Sequence, residues 1–182
     1  FMNQVKSNPG KLNYGSAGAG TSHHLAGELF KQQTKTFITH IPYKGAGPAL
    51  QDLMAGNVDM VFDGLGSSAG HIKGGRIKAL MVSGNKRNPA FPDVPHAAEL
   101  GLPDYTVTTW YGIWAPKGTP ADIITSLNAA FNKVLQRPET RQRLLDLGFE
   151  AGGGTPEQLR EFGQAERRKW QGVISSAGLK AE

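Results

Sequence analysis

The sequence predicts an α/β fold built on a mostly parallel sheet with helices on both faces. Three observations carry this. Short β-prone segments alternate with helical ones through the first hundred residues, which is the signature of strand–helix–strand units. The helical segments between them show one apolar stripe each. The first strand-like segment runs into a glycine-rich turn, Tyr14-Gly15-Ser16-Ala17-Gly18-Ala19-Gly20-Thr21, and then directly into a helix.

In chain order, Met2 and Val5 read as part of a first helix, and Lys11–Tyr14 is the first strand candidate. Residues 22–33 place Leu25, Ala26, Leu29 and Phe30 on one helical face. Phe37–Ile41 is a second strand candidate. Pro48 sits as a first-turn proline of a helix that continues over Ala49–Ala55 and stops at Gly56. Val58–Phe62 is the third strand candidate, followed by a short helix over Ser67–Lys73 that ends at Gly74-Gly75. Ile77–Val82 is the fourth. Pro89, Pro92, Pro95 and Pro103 then break any long element, leaving only Ala97–Leu100 as a helical turn. Thr106–Trp114 is a fifth, aromatic strand candidate. Beyond it the chain is helical. Thr119-Pro120-Ala121-Asp122 reads as a cap ahead of a stripe of Ile123, Ile124, Leu127, Ala130, Phe131, Val134 and Leu135. Pro138 opens a helix that stops at Gly148, and Thr155-Pro156-Glu157-Gln158 caps a long helix ending at Gly178. Residues 1–105 therefore read as one complete α/β lobe. Residues 106–182 read as a mostly helical part with too little sheet to bury its stripes.

Composition narrows the function classes. The 182 residues are 38% hydrophobic and 19% charged, which is ordinary globular material. No apolar run reaches the ~18 residues of a membrane span, so no direct membrane insertion is expected. There is no cysteine, hence no disulfide or thiol chemistry. The net charge is +5. Its only dense cluster, Arg167-Arg168-Lys169, reads as a solvated helix face, so no nucleic-acid partner is expected. His24 and Glu28 lie four apart, but the adjacent His23 points differently and no third ligand stands at metal-binding spacing, so neither metal nor cofactor is expected.

The glycine turn carries the chemistry. A strand-to-helix turn gathers unpaired N–H groups at a positive helix end, a setting for a carboxylate or phosphate. Ser16, Ala17, Gly18, Gly20 and Thr21 are the candidate ligand-binding positions, with hydroxyls from Ser16 and Thr21 and amides from residues 18–21. A phosphate loop is excluded because Thr21 stands where its lysine belongs. A dinucleotide fingerprint fails on its glycine order, and a nucleophile elbow is one residue short around Ser16. In a parallel lobe, the turn after the second strand and the residue after the third emerge at the same sheet edge. That adds Lys44, Gly45 and Asp63. Lys44 reads equally as a source of long-range attraction or as a solvated lysine. Asp63 reads equally as a cleft residue or as a cap for the next helix. His24 reads as support behind the turn. Trp110 and Tyr111 read equally as cleft lining or as packing.

Several motifs in order resemble one family. They are Lys11 through Thr21 with His24-Leu25-Ala26-Gly27-Glu28; Ile41-Pro42-Tyr43-Lys44-Gly45 with Pro48-Ala49 and Asp52-Leu53; Gly56-Asn57-Val58-Asp59-Met60 with Phe62-Asp63; and Trp110-Tyr111-Gly112 with Ala115-Pro116-Lys117-Gly118-Thr119-Pro120. The chain resembles the Bug-type solute receptors of tripartite tricarboxylate transporters. The resemblance implies a periplasmic-binding-protein-like, type II fold with two α/β lobes around a cleft. Residues 1–105 would be the complete second lobe, and 106–182 the returning part of the first; about the first third of a typical mature receptor, with the opening strands of the first lobe, would be missing from this sequence. It implies an exported, periplasmic receptor that binds a small organic carboxylate (a di- or tricarboxylate, an acidic amino acid or an aromatic acid) and hands it to membrane permease subunits. It also implies that Asp63 helps line the cleft, often through water, and that Tyr14, His24 and Tyr43 stand behind the ligand contacts. The rival of a different class is the effector-sensing domain of a transcriptional regulator, which shares the architecture and would need a DNA-binding helix pair. An enzyme using the turn as an oxyanion hole is a further rival, with Ser16 and His24 its only candidates.

Overall fold

The computed structural model describes residues 2–179. Three short strands, β1 (Asn13–Ser16), β2 (Thr39–Pro42) and β3 (Met60–Val61), form a parallel sheet in the order β2-β1-β3. Helices α1 (Met2–Ser7), α2 (Ser22–Thr34), α3 (Ala46–Ala55) and α4 (Leu65–Lys73) surround it. Further on come α5 (Ala121–Leu135), α6 (Pro138–Asp146) and α7 (Pro156–Ala177). The chain divides into two compact units. One runs up to Thr109 and takes in the chain from Gly172 onward; the other is Trp110–Gln171.

Strand alternation explains how both sheet faces are covered. On central strand β1, Tyr14 faces α2 and is fully buried. A Cβ on Gly27 of α2 would lie 2.3 Å from the Tyr14 ring, so glycine is what lets the helix close on the tyrosine. The next residue, Gly15, faces the other way, with Ala49 of α3, Tyr43 and Val61 at 3.2–3.4 Å from a Cβ placed there. Ile38, Leu50 and Val5 complete the centre of the core. Tyr105 is buried, donates to the Ala26 carbonyl at 3.0 Å, and ties the far end of the proline-rich stretch to α2.

The helix expectations largely hold, with α4 starting two residues earlier than predicted. The two later strand expectations do not hold. Ile77–Val82 forms a single bridge, Val82 to His96, because its hydrogen bonds go to the proline-rich segment: Val82 donates to Pro95 and accepts from Ala97. That segment is organised by Arg87, whose guanidinium holds Glu99 at 2.8–3.2 Å and the Pro92 carbonyl at 2.8 Å. Thr106–Trp114 also forms no strand. Among the described residues no strand pairs with it, and β-propensity is expressed only against a neighbour. Tyr111, Ile113 and Trp114 are accordingly exposed.

The predicted Thr119 cap is a second correction. Its hydroxyl donates to the Pro116 carbonyl at 2.8 Å, and α5 begins after Pro120 with no side-chain cap. Thr155 behaves as predicted. Its Oγ1 accepts from the Gln158 amide (3.2 Å) while Gln158 Oε1 accepts from the Thr155 amide (2.8 Å), a reciprocal capping box. Within the Trp110–Gln171 unit, Asn132 bridges α5 to Gly154, accepting from its amide and donating to its carbonyl. Neither α5 nor α6 has a buried residue. Among the described residues, no helix is long and apolar enough to cross a membrane.

Candidate ligand site

All three strands are parallel, so their C-terminal ends deliver the β1–α2 turn, Tyr43-Lys44-Gly45 and Asp63 to one sheet edge. The central strand supplies the middle turn. Gly18 (φ +133°) and Gly20 (φ +72°) bend it through conformations that side chains rarely adopt. Gly18 is also crowded, because a Cβ there would meet the Tyr43 carbonyl oxygen at 3.2 Å.

The turn is held from behind by side chains. Thr21 is the N-cap of α2; its Oγ1 accepts from the His24 amide (3.4 Å) and donates to the Gly18 carbonyl (2.7 Å). Ser16 is 1% exposed. Its Oγ accepts from the Gly18 amide (3.1 Å) and lies 2.6 Å from His40 Nε2. The Gly20 amide donates to His24 Nδ1 at 3.1 Å. The Thr21 amide returns to the Gly18 carbonyl at 3.3 Å, and the Gly45 amide donates to the Ala17 carbonyl at 3.1 Å.

This redistributes the predicted donors. The hydroxyls of Ser16 and Thr21 and the amides of Gly18, Gly20, Thr21 and Gly45 are engaged within the protein. Among the described residues, the amides of Ala17, Ala19, Ser22 and His23 have no protein acceptor. Two of these, Ser22 and His23, open the 13-residue helix α2, where its dipole is positive.

Beneath the turn lies a buried polar cluster. Tyr14 donates to Glu28 Oε1 (3.0 Å), and Lys31 Nζ holds both Glu28 oxygens at 2.8 and 2.9 Å. The His24 and His40 rings stack at 3.8 Å, and Tyr14 stacks on His40 at 4.9 Å. Burial pushes the Tyr14 phenol up, with the Glu28 charge adding to the effect. Burial also pulls the His24 imidazole down, and brings His40 down to about 4 with help from the His24 charge.

On the flanks, Lys44 is exposed. Tyr43 donates its hydroxyl to Asp52 Oδ2 at 2.7 Å. Asp63 accepts from Ser67 Oγ (2.7 Å) and lies 3.5 Å from His23 Nδ1, its side chain 6% exposed. It therefore props the start of α4 through Ser67 while the formal N-cap is Gly64. Sequence reasoning missed His40 and Thr109. His40 sits on a strand beside a hydroxyl position, a weak signal. Thr109 Oγ1 comes within 3.4 Å of Ser22 Oγ, a contact between residues 87 apart that no local pattern announces. Trp110 and Tyr111 belong to the other unit, packing on Phe162 and Phe149. Two shallow surface hollows, of about 220 and 320 Å³, also lie in that unit and touch none of the loop residues.

The family described as tripartite tricarboxylate transporter family receptor matches residues 1–179. A UPF0065 protein from the tcbD-tcbE intergenic region of Pseudomonas sp. strain P51 is 41% identical over all of this chain and 54% of its own length. Similar solved structures include two with a bound dicarboxylate. Rpa4515 of R. palustris with adipate has a TM-score of 0.91 at 37% identity, over 97% of this chain and 59% of that one. MatC (Rpa3494) from Rhodopseudomonas palustris with bound malate has a TM-score of 0.82 at 36% identity, over 96% and 60%. The chain thus spans about half the length of most of the curated relatives it matches.

Proposed function

The chain belongs to the receptor family of tripartite tricarboxylate transporters, and from that premise we propose that it captures a small organic carboxylate in the periplasm for delivery to the transporter's permease subunits. The adipate and malate of the similar structures support a small di- or tricarboxylate as the ligand, with acidic amino acids and aromatic acids as further candidates of the class. The observation that carries the reading is the set of unpartnered amides at Ala17, Ala19, Ser22 and His23, on a turn pinned from behind.

One ligand carboxylate docks on that turn. Each amide bond to it contributes about 1.5–3 kcal/mol. Ser16, Gly18, Gly20 and Thr21 hold the donors in place, with Tyr14, His24 and Tyr43 behind them. Gly45 closes the neighbouring turn onto Ala17, and Lys44 adds long-range attraction. Asp63 would repel a carboxylate, so it faces a hydroxyl, an amine or a bridging water of the ligand. Residues 1–105 act as the complete second lobe and 106–182 as the returning part of the first. A ligand that binds one conformation of the receptor better than another shifts it toward that state, and that state is the signal the permease reads. No bond is made or broken.

Calorimetric titration with malate and adipate tests this. Gly18→Asp puts a side chain against the Tyr43 carbonyl and a negative charge in the anion site, and abolishes binding. Unchanged affinity in that variant overturns the assignment.

A further inference from the structure

We propose that His24 and His40 are positioning residues: the glycine turn keeps its ligand-receiving form only while the His24 imidazole is neutral, and the stacked pair cannot carry two charges, so that carboxylate affinity falls on acidification. This rests on the carboxylate-receptor reading above and adds a control to it.

The geometry makes the requirement specific. His24 Nδ1 accepts the Gly20 N–H at 3.1 Å. An acceptor nitrogen carries no proton, so the ring is the Nε2–H tautomer. Protonation of His24 puts a second N–H on Nδ1, facing the Gly20 donor. The bond is lost and the two donors repel. Gly20 lies between Ala19 and the first turn of α2, so the loss acts on the residues that present the free amides.

His40 works from the other side. Its Nε2 lies 2.6 Å from Ser16 Oγ, the acceptor of the Gly18 amide. A protonated His40 keeps that contact as a donor, but its charge then lies against the His24 ring, stacked at 3.8 Å. The pair cannot be doubly charged without separating.

The surrounding groups do little to offset such charge. On α2, Glu28 faces His24 Nε2 at 3.8 Å, beyond hydrogen-bond reach, and its charge is already matched by Lys31. On β1, Tyr14 stacks on His40 and donates to Glu28 as a neutral phenol. Tyr105 is neutral and donates to Ala26. Phe62, packed on Tyr14, is apolar. Burial is the main reason both imidazoles lie below the ordinary histidine value of 6.5. A depressed histidine stabilises the ordered turn fully above that ordinary value. The contribution fades as pH falls from about 6.5 toward the His40 value of about 4.

The test compares wild type with His24→Asn, whose Oδ1 can accept the Gly20 amide but does not titrate. Malate affinity is measured by calorimetry at pH 7.5 and pH 5. The probe's own ionisation affects both proteins equally, so the ratio isolates the imidazole. The expected result is that wild type loses roughly fivefold more affinity than the variant on acidification, the scale of one net hydrogen bond. Equal losses overturn the proposal. A second readout needs no ligand and separates this idea from the receptor reading. In the free protein, the Gly20 amide resonance is followed against pH beside the histidine ring signals. A Gly20 shift that tracks His24 titration supports the proposal even if no probe binds. A Gly20 resonance unmoved through that titration overturns it.

Discussion

Gly27 and Gly70 are both helical glycines, and their surroundings assign them opposite roles. A Cβ at Gly27 would lie 2.3 Å from a Tyr14 ring pinned by its bond to Glu28. Alanine gains under about 1 kcal/mol of helix propensity there, and forcing the ring aside costs more. Gly27→Ala is expected to destabilise by about 1–3 kcal/mol in urea unfolding. At Gly70 nothing lies within 4 Å, so Gly70→Ala is expected to stabilise by about 0.5–1 kcal/mol. Equal effects from the two would contradict the packing described here. The glycine turn itself was legible, because Gly18 and Gly20 before a capping Thr21 announce a strand-to-helix bend. Which amides stay free was not legible. That depends on Ser16 and His24 turning inward, with His40 arriving from another strand.

Two similar tetrapeptides separate what local pattern can decide at the scale of an element. Thr155-Pro156-Glu157-Gln158 forms its capping box because glutamine reaches back to the Thr155 amide. Thr119-Pro120-Ala121-Asp122 does not, because the Thr119 hydroxyl closes the preceding turn onto Pro116. Thr155→Ala is therefore expected to cost about 1 kcal/mol of stability, and Thr119→Ala less than about 0.5 kcal/mol. Denaturant midpoints at unchanged slope would show it; the reverse order would contradict the capping assignment. The β1, β2 and β3 strands were recognisable within a few residues because helices on both sides define them. Ile77–Val82 and Thr106–Trp114 carried the same propensity and formed no strand. A strand exists by pairing, and local composition does not show whether an edge is available.

For the whole molecule, α5 presents Ile123, Leu127, Phe131 and Val134 at 43–46% exposure. That apolar stripe predicts concentration-dependent self-association of the 182-residue chain. Sedimentation velocity is expected to show it, and Phe131→Lys to reduce it. A chain that stays monomeric at high concentration would contradict this. The order of motifs and the sheet edge they share were visible from sequence because each lies within one strand–helix unit. The contact of Thr109 with Ser22 was not, because it joins distant chain. The central claim is that a carboxylate sits on the free amides of the glycine turn. It is tested most directly by titrating malate into ¹⁵N-labelled protein at pH 7.5 and mapping the amide resonances. The largest shifts are expected at Ala17, Ala19, Ser22 and His23, with smaller ones at Gly45. Saturable binding that leaves those four resonances unmoved would contradict the account.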